Sequence, residues 1–180
     1  MTDTLEAPRT DAFVPSAKTD LELCACGSGL RAERCCRLDL ARTERTSPDG
    51  PYADRVARMS RAYNDGEAEL AESLALDILE EAPGQRDALG ALYNVRKDQG
   101  ELRAAEALVR RIAALYPNDP TSQLVAAQFF MSRGAYALAH PYARMLVRLA
   151  PHAVPAHVAM GRVFNATNHP KAAEHHFRRA

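Results

Sequence analysis

The sequence predicts an all-α protein: a helical solenoid of about four helix pairs, preceded by a small knuckle of cysteines. Three observations carry this. Pro83, Pro117 and Pro151 stand 34 residues apart, and so do Gly66, Gly100 and Gly134. Ala71, Ala105, Ala139 and Ala173 hold the same period through four copies with no insertion. All four cysteines of the 180-residue chain fall between Cys24 and Cys36. A period of this length, punctuated by glycine and proline, marks units that bury their apolar faces only by stacking on their neighbours.

Residues 1–20, with Pro8, Pro15 and little apolar patterning, are expected to form a disordered lead. They are polar and acidic, without the basic start and apolar run of an export signal. No apolar run approaches the roughly 20 residues needed to span a bilayer. With 47% hydrophobic residues and a formal net charge of zero, the chain can build a core and has no global pull toward nucleic acid or anionic lipid. The expectation is a soluble, cytoplasmic protein with no membrane partner.

Residues 21–42 are expected to form the knuckle. Cys24-Ala-Cys26-Gly-Ser-Gly and, five residues later, Cys35-Cys36 place two sulfur pairs around a Gly-Ser-Gly turn. A Cys-x-Cys pair sets two sulfurs on one side of a tight turn, and Gly27 and Gly29 admit backbone angles that a β-carbon resists. A helical turn over Leu30 to Cys36 delivers the second pair from the opposite side. Four thiolates suit Zn²⁺, in a closed tetrahedral site that leaves no position for substrate. Ser28 and nearby N–H groups are expected to support the sulfurs. Two disulfides are the competing arrangement. Pairing within either doublet closes a very small, strained ring, and no export signal points to an oxidising compartment. From Leu23 to Arg37 the pattern resembles the SEC-C motif, the zinc-binding module at the C-terminus of the SecA translocation ATPase and in many bacterial proteins. The resemblance implies Cys24, Cys26, Cys35 and Cys36 as zinc ligands. It departs at Ala25, where proline is common, and at Ala32, where an aromatic usually covers the knuckle.

Residues 43–51, containing Ser47-Pro-Asp-Gly-Pro51, read as a linker that ends at a helix start. From 52 to 180 the repeat units are 52–85, 86–119, 120–153 and an incomplete 154–180. Their helix pairs are expected at 52–64 with 68–81, 86–98 with 102–115, 120–132 with 136–149, and 154–166 with 171–180. Glycine ends each first helix because it enters left-handed geometry cheaply, and proline cannot extend the second helix. The alanines let the paired helices approach, and Leu92, Ile112, Phe130, Leu146, Phe164 and Phe177 are expected to fill the core. This unit resembles the tetratricopeptide repeat, or TPR, over about seven-tenths of the chain. Met59 and Tyr93 stand where Gly or Ala is usual, Arg96 where an aromatic is common, and Pro141 falls early in a second helix. The array ends on Phe177-Arg-Arg-Ala180 without a polar cap, so the chain is expected to be a piece of a longer one.

The TPR resemblance implies a concave groove for a protein or peptide ligand. Its candidate contacts are Tyr63, Asn94, Lys97, Gln128, Met131, Arg162 and Asn165, on a mostly neutral wall. Val56, Ser60, Ala91, Thr121 and Val125 stand where chaperone-tail clamps carry lysine, asparagine and arginine, so an acidic tail is a poor fit. Residues 47–109 hold seven basic and thirteen acidic residues, net −6; residues 110–180 hold nine and two, net +7. All six histidines lie in the second stretch and are expected on the solvated surface. Arg31, Arg34, Arg37, Arg42 and Arg45 read better as balance for an anionic metal site than as a nucleic-acid patch, because no aromatic interleaves them. The leading expectation is a non-catalytic, zinc-binding adaptor. The alternatives are the targeting portion of a longer enzyme, such as a TPR-fused transferase, and association with ribosomes or nucleic acid through the knuckle.

Overall fold

A computed structural model describes residues 22–46 and 50–180; the expected lead at 1–20 and residues 47–49 of the expected linker lie outside the described residues. Eight helices follow the 34-residue period: α1 Ala53–Asn64, α2 Ala68–Glu81, α3 Arg86–Asp98, α4 Leu102–Leu115, α5 Pro120–Ser132, α6 Tyr136–Leu149, α7 Val154–Ala166 and α8 Pro170–Phe177. Consecutive helices pack as antiparallel pairs, each pair packs on the next, and α1 touches α3 as α5 touches α7. The first helices of the pairs therefore form one layer and the second helices another. The array is a TPR-like helical solenoid.

Each turn between paired helices is made the same way. Gly66, Gly100 and Gly134 have φ of +82°, +77° and +70°, and Asn168 takes φ +60° at the fourth copy, where asparagine stands in for glycine. Asparagine is the side chain that tolerates this geometry best after glycine. Helix starts use side-chain caps where the sequence offers them. Asp119 accepts the Ser122 N–H at 2.7 Å, with Pro120 in the first turn, and Gln85 accepts the Ala88 N–H at 2.7 Å. Gln123, buried in α5, donates to the carbonyls of Ala113, Tyr116 and Pro117, groups at the end of α4 that have no helical partner. Pro141 lies inside α6 without ending it.

The core is continuous along the array. Ala71, Ala105 and Ala139 are fully buried and Ala173 nearly so, which is where the paired helices come closest. Leu92, Ile112, Phe130 and Leu146 are buried as expected. Tyr93, Phe129, Phe130 and Tyr142 form a chain of aromatic contacts across α3, α5 and α6. Phe177 departs from expectation: it is 44% exposed, because one side of its ring covers Gly161 and no described helix covers the other. Helix α8 is also shorter than the expected 171–180, ending at Phe177.

The N-terminal segment lies on this array. Cys24, Cys26, Leu30 and Cys35 join the same hydrophobic cluster as the helices, and Cys36 is exposed. The stretch expected as a linker begins as a strap over the α2–α3 turn, where the Glu44 carbonyl sits so close to Gly84 that a β-carbon there would meet it. Tyr116 donates its hydroxyl to the Gly84 carbonyl beneath the strap.

Candidate metal centre and concave cleft

The knuckle is a hairpin closed by a short turn of 3₁₀ helix. Leu23 pairs with Arg31 in an antiparallel bridge, the Cys24 N–H donates to the Leu30 carbonyl at 2.8 Å, and the 3₁₀ turn spans Ala32–Arg34. Gly27 and Gly29 have φ of +86° and +83°, so the Gly-Ser-Gly turn requires both. The result brings all four sulfurs within 4.8 Å of one another. Cys26 and Cys35 Sγ are 3.4 Å apart and Cys35 and Cys36 Sγ 3.9 Å, and none is bonded in a disulfide. Bonds of about 2.3 Å to a tetrahedral ion would set neighbouring sulfurs about 3.8 Å apart, so the donor set fits a metal ion. Ser28, fully buried, supports it: its Oγ lies 3.2 Å from Cys35 Sγ and accepts the Leu30 N–H.

The thiols do not ionise alike. Burial, then the sulfurs of Cys24 and Cys26, push Cys36 up to about 11, and burial pushes Cys35 up against the opposing hydrogen bond from Ser28. Burial acts on Cys24 too, but hydrogen bonds from the backbone and side chains of Cys26 and Cys36 outweigh it and bring Cys24 down to about 6. Four crowded sulfurs cannot all carry charge unaided. A bound dication reverses that balance, since thiolate is the form that ligates.

Two arginines from the solenoid reach this centre, and neither was picked out as a site residue from the sequence. Arg96 on α3, 7% exposed, donates to the Ser28 carbonyl and is paired with Glu72 at 2.6 Å and Glu101 at 3.4 Å. Its place in an aromatic position of the repeat was the available signal. Arg111 on α4, 6% exposed, donates to the Arg34 carbonyl at 2.6 Å and to the Pro83 carbonyl. Its spacing resembles that of any outer-helix arginine, so no sequence signal marks it. Of the basic run beside the cysteines, Arg31 and Arg34 face Glu80 at 3.1 and 3.9 Å, and Arg42 faces Asp39 at 3.4 Å.

On the other face, α1, α3 and α5 enclose an open cleft of about 590 Å³. Tyr63, Asn94, Lys97 and Gln128 line it together, with Arg86 and Asp87 at one end. Tyr63 donates to Asp98 at 2.9 Å, and Lys97 lies over the Tyr93 ring and 3.6 Å from Asp98. Burial, then Asp98, pushes the Tyr63 phenol up, so it stays a donor. The other groove candidates are not brought into this cleft. Met131 is buried within the continuous core, where neighbouring side chains cover it, while Arg162 and Asn165 are exposed on α7. The histidines depart from the surface expectation at one point: His157 is 1% exposed, with Nε2 donating to the Pro151 carbonyl at 2.9 Å and Nδ1 3.0 Å from Nδ1 of His176.

Fold and site together define a TPR-like helical-repeat protein with a four-cysteine cluster docked on its outer layer. Over 97% of its length the chain is 30% identical to Cellulose synthase operon protein C of Xanthomonas axonopodis pv. citri (strain 306), and it spans 12% of that protein. No protein-family profile matches the sequence. Among the described residues no helix is long and apolar enough to cross a membrane.

Proposed function

We propose that this chain is a non-catalytic scaffold that holds Zn²⁺ in a SEC-C-type knuckle and takes a protein or peptide ligand in its concave cleft. The cleft carries the reading. Tyr63, Asn94, Lys97 and Gln128 come from three successive first helices and converge on one open face. Asparagine and glutamine amides each offer a donor and an acceptor, which suits the backbone of an extended segment. The knuckle supports a structural ion: four soft sulfur donors at tetrahedral spacing leave no coordination position for a reacting molecule.

Similarity to a protein named for a cellulose synthase operon favours a second reading, in which the scaffold belongs to a longer protein that serves a synthase. The two agree on a binding role for these repeats.

The test is selection of displayed peptides on the zinc-loaded full chain, followed by affinity measurement on Asn94→Ala/Gln128→Ala. Peptides are expected to bind wild type and to weaken at least about tenfold, or about 1.4 kcal/mol, on the double variant. Peptides that bind both equally, or none enriched over a blank surface, would remove the cleft from the account. Metal analysis of the same preparation is expected to give about one zinc per chain. Protein that takes up no zinc removes the knuckle's ion without touching the cleft.

A further inference from the structure

A buried guanidinium needs a counter-charge, and Arg111 has none among the carboxylates of the described residues. It is 6% exposed, yet no aspartate or glutamate of the described residues lies within ion-pair distance of it. Its two terminal nitrogens donate to neutral carbonyls, those of Arg34 in the knuckle and Pro83 in the α2–α3 turn, and its Nε has no hydrogen-bond partner. Arg96, the other buried arginine at the knuckle, differs on this point: Glu72 and Glu101 answer its charge. The carbonyl that Arg111 holds at 2.6 Å, that of Arg34, belongs to the peptide that leads into Cys35, so the guanidinium lies beside the cluster; burial works against its charge, and the sulfurs of Cys35, then Cys36 and Cys26, favour it. As thiols they do not balance it. Four thiolates around a divalent ion carry a net charge of about −2, which does.

We propose that Arg111 is the solenoid's counter-charge to the metal–tetrathiolate centre, a positioning residue that docks the knuckle on α4 and links metal occupancy to that docking. The inference rests on the reading of the four cysteines as a metal site. Removing a cation that answers a buried dianion leaves charge without a partner, the costly case for buried ions. Groups that support metal ligands in this way typically change affinity by about 10- to 100-fold when removed. The arrangement also joins two elements through one side chain, because the same guanidinium holds the end of the 3₁₀ turn at Arg34 and the Pro83 turn.

The experiment uses the full chain with Co²⁺ as the probe, and compares wild type, Arg111→Gln and Arg111→Lys. Wild type is expected to show the intense thiolate-to-cobalt and tetrahedral bands of a four-sulfur site; their absence overturns the metal reading itself and this proposal with it. With the bands present, competition against a chelator gives affinities. Glutamine keeps hydrogen-bond donors without the charge and is expected to bind about 10- to 100-fold more weakly. Lysine keeps the charge and is expected to stay within about threefold of wild type. Equal affinities for the two variants, or a glutamine variant equal to wild type, overturn the counter-charge while leaving the metal site standing. Should Arg111→Gln fail to fold, Arg111→Lys decides alone: a tenfold loss or more overturns the proposal, and retained affinity supports it. Hydrogen exchange over residues 22–46 gives the second readout, with metal-dependent protection expected in wild type and lysine and lost in glutamine.

Discussion

Gly27 and Gly29 form a matched pair for measuring how firmly the knuckle is held to the solenoid. Both have left-handed backbone, φ +86° and +83°, so alanine at either costs about 1–2 kcal/mol from the backbone alone. Their surroundings differ. A β-carbon on Gly27 meets Ala104 Cβ at 3.8 Å, an ordinary contact, whereas one on Gly29 meets Arg96 Nη2 at 2.8 Å and Leu76 at 3.4 Å. Arg96 cannot retreat without loosening its bonds to the Ser28 carbonyl at 3.2 Å and Glu72 at 2.6 Å. Charged hydrogen bonds of that kind contribute about 1.5–3 kcal/mol. Gly27→Ala should therefore cost about 1–2 kcal/mol and Gly29→Ala about 2.5–5 kcal/mol. For a chain of this size the extra loss corresponds to about 3–12 °C in melting temperature. Thermal melts of the metal-loaded chain read the total, and hydrogen exchange over residues 22–38 reads the knuckle locally, since repeat arrays can open in parts. Repeating both substitutions in an Arg96→Ala background should erase the difference. Equal losses at the two glycines in the native background would refute the docking contact.

Two further outcomes follow from the packing. Phe130, 1% exposed, stacks on Tyr142 at 5.6 Å, meets Phe129 at 5.3 Å and carries Arg110 over its ring at 4.7 Å, so Phe130→Ala should cost about 3–5 kcal/mol in denaturant unfolding. A loss under about 1 kcal/mol would mean that α5 and α6 are not packed as described. His176 is held below the ordinary histidine value of 6.5 by burial first, then by His157, His175 and Arg179. A base whose folded pKa is depressed stabilises the fold above the unfolded pKa and loses that stability as pH falls through it, because the unfolded chain binds the proton more readily. Melting temperature should therefore drop as pH falls below about 6.5, and less steeply in His176→Gln; parallel profiles would show that this pair does not carry the dependence.

Much of the fold was legible in advance because each repeat solves a local problem with local residues. Glycine at 66, 100 and 134 reverses the chain, proline at 83, 117 and 151 follows the second helix, and alanine at 71, 105 and 139 sits where helices touch. Those requirements are set within a few residues of the position itself, so spacing alone located the helices. The cysteine cluster was legible for the same reason, since its turn is built from Gly27, Ser28 and Gly29 between the two sulfur pairs. Phe177 and Met131 were less legible, because burial at those positions depends on which neighbour covers them rather than on their own helix.

The sequence by itself determined the repeat, its register and the grouping of four sulfurs, all of which follow from short-range spacing and backbone geometry. Only the tertiary structure decided that the knuckle lies on the outer layer, that Arg96 and Arg111 reach it from 68 and 77 residues away, and that His157 is buried against His176. Those facts depend on which surfaces meet across the stack. A buried arginine is identified by the groups that surround its charge, and no period in the chain encodes them.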